Sequence, residues 1–194
     1  MIATAVASLV LGVGGCAADG RDIASDVPII EALGTRPAEY TSVEQLAGNA
    51  SAIVVVTPTG KTREEPLPQE QGGTKGSAPT LYLTVKVERV LSGSLDASTI
   101  DVVSPGTDKR TAKPALAAGR AFLLFITPAM YAADRPAGGY AIVGGPAGMY
   151  ASTGATFAKV DTESPQLPNT VDADKAAWPT ITLSEADLLH RGPR

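Results

Sequence analysis

Glycine or proline closes each of the strongly apolar runs in this 194-residue chain. Residues 52–57 (AIVVVT) stop at Pro58, 100–104 (IDVVS) at Pro105, 121–127 (AFLLFIT) at Pro128, and 140–143 (YAIV) at Gly144. The chain holds 20 Gly and 15 Pro, too many for long helices to run between them. Proline fixes φ and removes a donor, and glycine costs backbone entropy inside an element. Short runs rich in β-branched and aromatic residues between such breakers read as strands. The length fits one domain of about 100–200 residues with a core of its own. A mainly β fold is the expectation.

Composition narrows the chemistry. One Cys cannot form an intramolecular disulfide or a Cys-rich zinc site, and one His excludes multi-His metal sites. A net charge of −4 argues against nucleic acid, whose binders carry a basic footprint. Aromatic residues at 5% are too sparse for an extended base-stacking platform.

Along the chain, Ser42 or Thr41 caps a short helix whose Val43, Leu46, Ala47 and Ala50 share one face. The run 52–57 has no alternation and reads as a strand buried on both faces. Residues 58–79 read as a long polar loop. In 81–91 apolar and polar residues alternate, then slip in parity at Glu88 and Arg89, so a bulge is expected there. Strands follow at 100–104, 121–127, 140–143, 149–150 and 156–160, with loops at 107–120 and 129–139. Residues 161–179 read as a polar, Pro-rich tail, and 182–189 as a final helix capped by Ser184.

The N-terminus has a distinct character. Residues 2–13 (IATAVASLVLGV) are uncharged and too short for a membrane span of about 20 residues. They match the apolar core of an export signal. Val13, Gly14, Gly15 and Cys16 then resemble a bacterial lipoprotein signal, although no Lys or Arg precedes Arg21. That resemblance implies cleavage between Gly15 and Cys16 and lipid attachment at Cys16. It divides the chain into a signal (1–15), a flexible tether (16–39) with a short contact near 27–33, a folded domain (40–160) and a tail (161–194). The protein would sit outside the cytoplasm, held to the membrane by its lipid.

Strands of uneven length, one of them bulged, with a helix before the first, fit a small five- to six-stranded Greek-key barrel of OB type. Residues 40–60 (YTSVEQLAGNASAIVVVTPTG), 83–93 (LTVKVERVLSG), 104–106 (SPG), 118–125 (AGRAFLLF) and 140–150 (YAIVGGPAGMY) resemble netrin-like and TIMP-like OB-barrel domains over about 40–160. TIMP domains inhibit metalloproteases through a free N-terminal Cys. An acylated Cys16, far ahead of the barrel, does not carry that mechanism over.

No residue set forms a catalytic signature. His190 lies near the C-terminus, where a solvated side chain is the simpler reading. The acid pairs Asp172/Asp174 and Asp161/Glu163 lack an EF-hand pattern. Gly144, Gly145 and Gly148 lack the Lys-Ser/Thr of a phosphate loop, and Ser104 and Ser152 lack a G-x-S-x-G context. Trp178 could be a ligand platform but more simply packs back on the domain. Tyr82 points outward on the long strand, the face OB barrels use for ligands. The expected function is a non-catalytic binding or interaction module without a cofactor, its partner a protein or envelope polymer. The alternatives are a protease inhibitor acting through residues 58–79 and a hydrolytic enzyme using the acids and His190.

Overall fold

The computed structural model describes residues 27–32, 38–66, 79–116, 119–132 and 135–181. Its elements in chain order are β1 (Ile30–Ala32), α1 (Val43–Gly48), β2 (Ala52–Glu65), β3 (Thr80–Gly93), β4 (Thr99–Val103) and β5 (Gly106–Asp108). Then come β6 (Phe122–Ala132), β7 (Arg135–Ile142), a 3-10 turn (Gly145–Gly148), β8 (Met149–Ser152), β9 (Phe157–Lys159) and β10 (Thr170–Val171). The fold is mainly β. One large sheet runs β10-β9-β8-β6-β2-β3-β4-β7, with a further pairing of β6 to β7. Its pairs are antiparallel except β4–β7, which meet in parallel at Val102 and Tyr140.

The centre of the sheet is the pair β2–β6, with Ala52 opposite Ile126 and Val56 opposite Phe122. Both strands lack alternation because both faces are buried. Ala52, Val54, Val56, Phe122, Leu124 and Ile126 face one core with Leu83, Val85, Ile100 and Val102. Ile53, Val55, Leu123 and Phe125 face a second core with Tyr150, Phe157 and the α1 residues Leu46 and Ala47. Helix α1 starts where the sequence places it. Ser42 Oγ accepts from Gln45 N, and Gln45 Oε1 accepts from Thr41 N at 2.8 Å.

Two prolines expected to end strands do not. β2 continues past Pro58 to Glu65, and β6 past Pro128 to Ala132. Each proline adjoins a register break, after Pro58 in β2–β3 and after Pro128 in β6–β7. β2 has also left β6 by then, since their pairing ends at Val56. Proline is tolerated where a ladder is interrupted, and the φ of +79° at Gly60 belongs to that interruption. The polar loop expected over 58–79 is therefore largely strand in its described part, and 129–139 is mostly the β6–β7 hairpin. In β3, Glu88 stands unpaired between the Val55–Arg89 and Val56–Val87 pairs, where the sequence parity slips.

Segments read as tether and tail are bound to the sheet. β1 pairs with β5, Ile30 is buried in the first core, and Arg110 Nη2 donates to Val27 O at 2.7 Å. Asp108 holds the turn after β5, accepting from Arg110 N at 3.1 Å and Thr111 Oγ1 at 3.0 Å. Burial raises its pKa, but these hydrogen bonds and the Arg110 charge outweigh it and hold the carboxyl below the usual range. After β9, Leu167, Val171 and Ala173 are buried in the second core. Their spacing follows no strand or helix period, so the sequence pattern does not show them. The expected terminal helix at 182–189 lies outside the described residues.

Candidate functional site

After its irregularity, β2 resumes pairing with β3, setting Thr62 opposite Leu83 and Arg63 opposite Tyr82. Leu83 packs in the first core, so alternation turns Arg63 and Tyr82 to the other face. β4 adds Asp101, opposite Thr84, to that face. The β6–β7 hairpin brings Tyr131 and Ala137 to the same place, as their hydrogen bonds show.

These groups form one network. The Arg63 guanidinium lies 4.1 Å from the centroid of the Tyr82 ring. Its Nε donates to Asp101 Oδ2 at 3.3 Å, and it also pairs with Glu65. Thr84 Oγ1 donates to Asp101 Oδ1 at 2.8 Å. Tyr131 OH donates to Glu65 Oε2 at 3.4 Å, and Tyr82 OH to Ala137 O at 2.9 Å. A half-exposed cation–π contact contributes about 1 kcal/mol. One guanidinium against two carboxylates leaves the cluster net acidic.

Tyr82 does not point into solvent, as strand parity alone suggests. It is 0% exposed, although it belongs to neither core. Burial, with Tyr131 and Glu65 nearby, pushes its hydroxyl up to about 12 against the opposing pull of Arg63. At neutral pH it is a hydrogen-bonding group and not a base. The arrangement can orient a ligand with donors or an aromatic edge. It holds no nucleophile paired with a base.

The other sequence candidates fall elsewhere. Trp178 stands edge-on to Phe125, with ring centroids 6.0 Å apart, and its Nε1 donates to Ala173 O at 3.0 Å. Asp172 caps a turn and pairs with Lys175 at 2.9 Å, while Asp174 pairs with Arg89 at 2.8 Å. Asp161 is buried and accepts from Glu163 N at 3.1 Å. Ser104 Oγ donates to Gly106 O, Ser152 Oγ accepts from Gly154 N, and Gly144 opens the 3-10 turn with a φ of +67°. Gly15, Cys16 and His190 lie outside the described residues. Among the described residues, no group of three or more His, Cys, Asp or Glu side chains could hold a metal.

Arg63 is the residue that sequence reasoning missed. Its signal was the polar alternation Thr62-Arg63-Glu64-Glu65, hidden by the assumption that Pro58 ends the strand. No family model, no curated protein and no solved structure matches the chain.

Proposed function

We propose that this chain is an extracytoplasmic lipoprotein whose folded domain is a non-catalytic binding module on an OB-like, netrin/TIMP-type barrel. The barrel reading is supported by the pairings β2–β3, β3–β4, β4–β7, β7–β6 and β6–β2, which lead back to their starting strand. The observation that carries the binding reading is the position of the Arg63–Tyr82 network. It lies where the β2–β3 and β6–β7 connections leave the ring, and the equivalent loops flank the ligand face of OB barrels. The anchor reading rests on the apolar run ending in Gly14, Gly15 and Cys16. Two or more acyl chains, at about 0.8 kcal/mol per buried CH₂, hold a protein stably at a membrane. The partner is a protein or envelope polymer met at this face.

The test uses the full chain expressed in bacterial cells with an alkyne fatty-acid label. Wild type should be labelled and fractionate with membranes, and Cys16→Ala should lose both properties. An unlabelled, soluble wild type overturns the anchor. A photo-crosslinker at exposed Thr99, on the Arg63–Tyr82 face of β4, should form a partner adduct that one at exposed Glu64, on the opposite face of β2, does not. Equal adducts, or none at either position, overturn the binding face.

A further inference from the structure

Tyr82 is among the largest fully buried side chains, yet it packs in neither hydrophobic core. Its shelter is local. Arg63 covers its ring, and its hydroxyl is tied to Ala137 on β7. Tyr131, on the facing arm of the same hairpin, is tied to Glu65. Moving only the outer arms of that hairpin, in which Ala129 is the one described buried apolar residue, would uncover Tyr82 and leave both cores in place.

The hairpin is built unevenly. Near the sheet its pairs are regular, with Ile126 opposite Ile142, Thr127 opposite Ala141 and Pro128 opposite Tyr140. Further out the register breaks twice, between Pro128 and Met130 and between Met130 and Ala132. Pro128 and Pro136 each lack a backbone donor. Between the regular and irregular parts, Gly138 and Gly139 are both left-handed, with φ of +75° and +68°. At Gly139 the β4 backbone approaches closely, since a Cβ there would lie 2.5 Å from Asp101 O, whereas a Cβ at Gly138 would meet nothing within 4 Å. Consecutive left-handed glycines, one closely approached and one with open space beside it, can absorb the backbone rotation of a hinge.

We propose that the outer arms of the β6–β7 hairpin, residues 128–132 and 135–138, are a latch that opens about Gly138 while the sheet stays folded. The latch is closed by the Tyr82–Ala137 and Tyr131–Glu65 hydrogen bonds. Opening presents the Tyr82 phenol beside the Arg63 guanidinium that lies over its ring. The consequence for ligand access rests on the binding-face reading above. The experiment reads opening without any partner, so the two can fail separately.

Tyrosine nitration of the full chain under native conditions, mapped by peptide mass spectrometry, tests the latch. Tyr150 is the internal control, because it is equally buried but sits in the second core. In wild type, Tyr82 should be nitrated at least about tenfold faster than Tyr150, as expected for local rather than global opening. Tyr131→Phe removes one closing bond, to a charged acceptor, and should raise the Tyr82 rate about tenfold without moving Tyr150. Amide exchange across 129–132 and 135–138 should quicken in parallel, with 122–126 unchanged. Equal protection of Tyr82 and Tyr150 in wild type overturns the proposal with no variant needed. So does a Tyr131→Phe protein in which both tyrosines quicken together.

Discussion

Gly139 meets Asp101 so closely that a Cβ at 139 would lie 2.5 Å from the Asp101 carbonyl oxygen. This contact adjoins the one parallel pairing of the sheet, Val102 with Tyr140. Gly139→Ala should therefore cost left-handed strain of about 1–2 kcal/mol plus the displacement of β4 backbone. Gly138→Ala has open space and should cost the strain alone. Urea denaturation of the two variants separates the terms. Equal losses would remove the close approach as a cause.

β6 carries core residues on both faces, so adjacent truncations should both be severe. Leu124→Ala should lose about 2–5 kcal/mol and Phe125→Ala about 3–5 kcal/mol, each from a different core. An ordinary half-buried strand would tolerate one of the pair. Denaturation midpoints that show one variant near wild type would refute the shared wall.

Trp178 is the only tryptophan and reports on the segment after β10. Its edge-on packing against Phe125 and its bond to Ala173 O fix that segment over the second core. Trp178→Ala should lose about 2 kcal/mol, less than a fully buried site because Trp178 is half-buried. Trp178→Phe should recover most of it. In wild type, Trp fluorescence and far-UV circular dichroism should give one coincident unfolding curve. An earlier fluorescence change would mean that the segment detaches by itself.

The raised Tyr82 pKa sets an alkaline limit. The hydroxyl has its ordinary value of 10.0 when unfolded and about 12 when folded. Between these values the native state holds the proton and the unfolded state releases it, so stability falls as pH rises. The contribution is full below pH 10 and is lost towards about pH 12. Tyr82→Phe should cost about 1 kcal/mol at neutral pH through the bond to Ala137 O, and then decline less steeply above pH 10. Parallel stability–pH curves for variant and wild type would contradict the assignment.

What the sequence reveals follows from how local each cause is. The twin burial of β2 and β6 is legible because a run such as IVVV has no polar face to offer water. The cap at Ser42 and the bulge at Glu88 are local as well, one a side chain and one a parity slip. Pro58 and Pro128 mislead because proline's effect depends on whether a neighbouring strand needs its donor, and that neighbour is distant in sequence. Tyr82 is half legible. Parity turns it from the core correctly, but its cover comes from Ala137 and Tyr131, far along the chain. Arg63 is lost with the strand that was assumed to have ended.

The ribbon of β1 and β5 has a mechanical consequence. Tension arriving from upstream of Val27 reaches β1 before any strand of the main sheet. β1 is held by a ladder of three residue pairs with β5, by Ile30 N on Val160 O, by Lys109 N on Ile29 O and the Lys109–Glu31 ion pair, and by Arg110 on Val27 O. That ladder is far shorter than β2–β3 and peels first, releasing about 20 Å of extended chain from residues 27–32. Pulled from its N-terminal side, the ribbon should yield slack before the Arg63–Tyr82 face is strained.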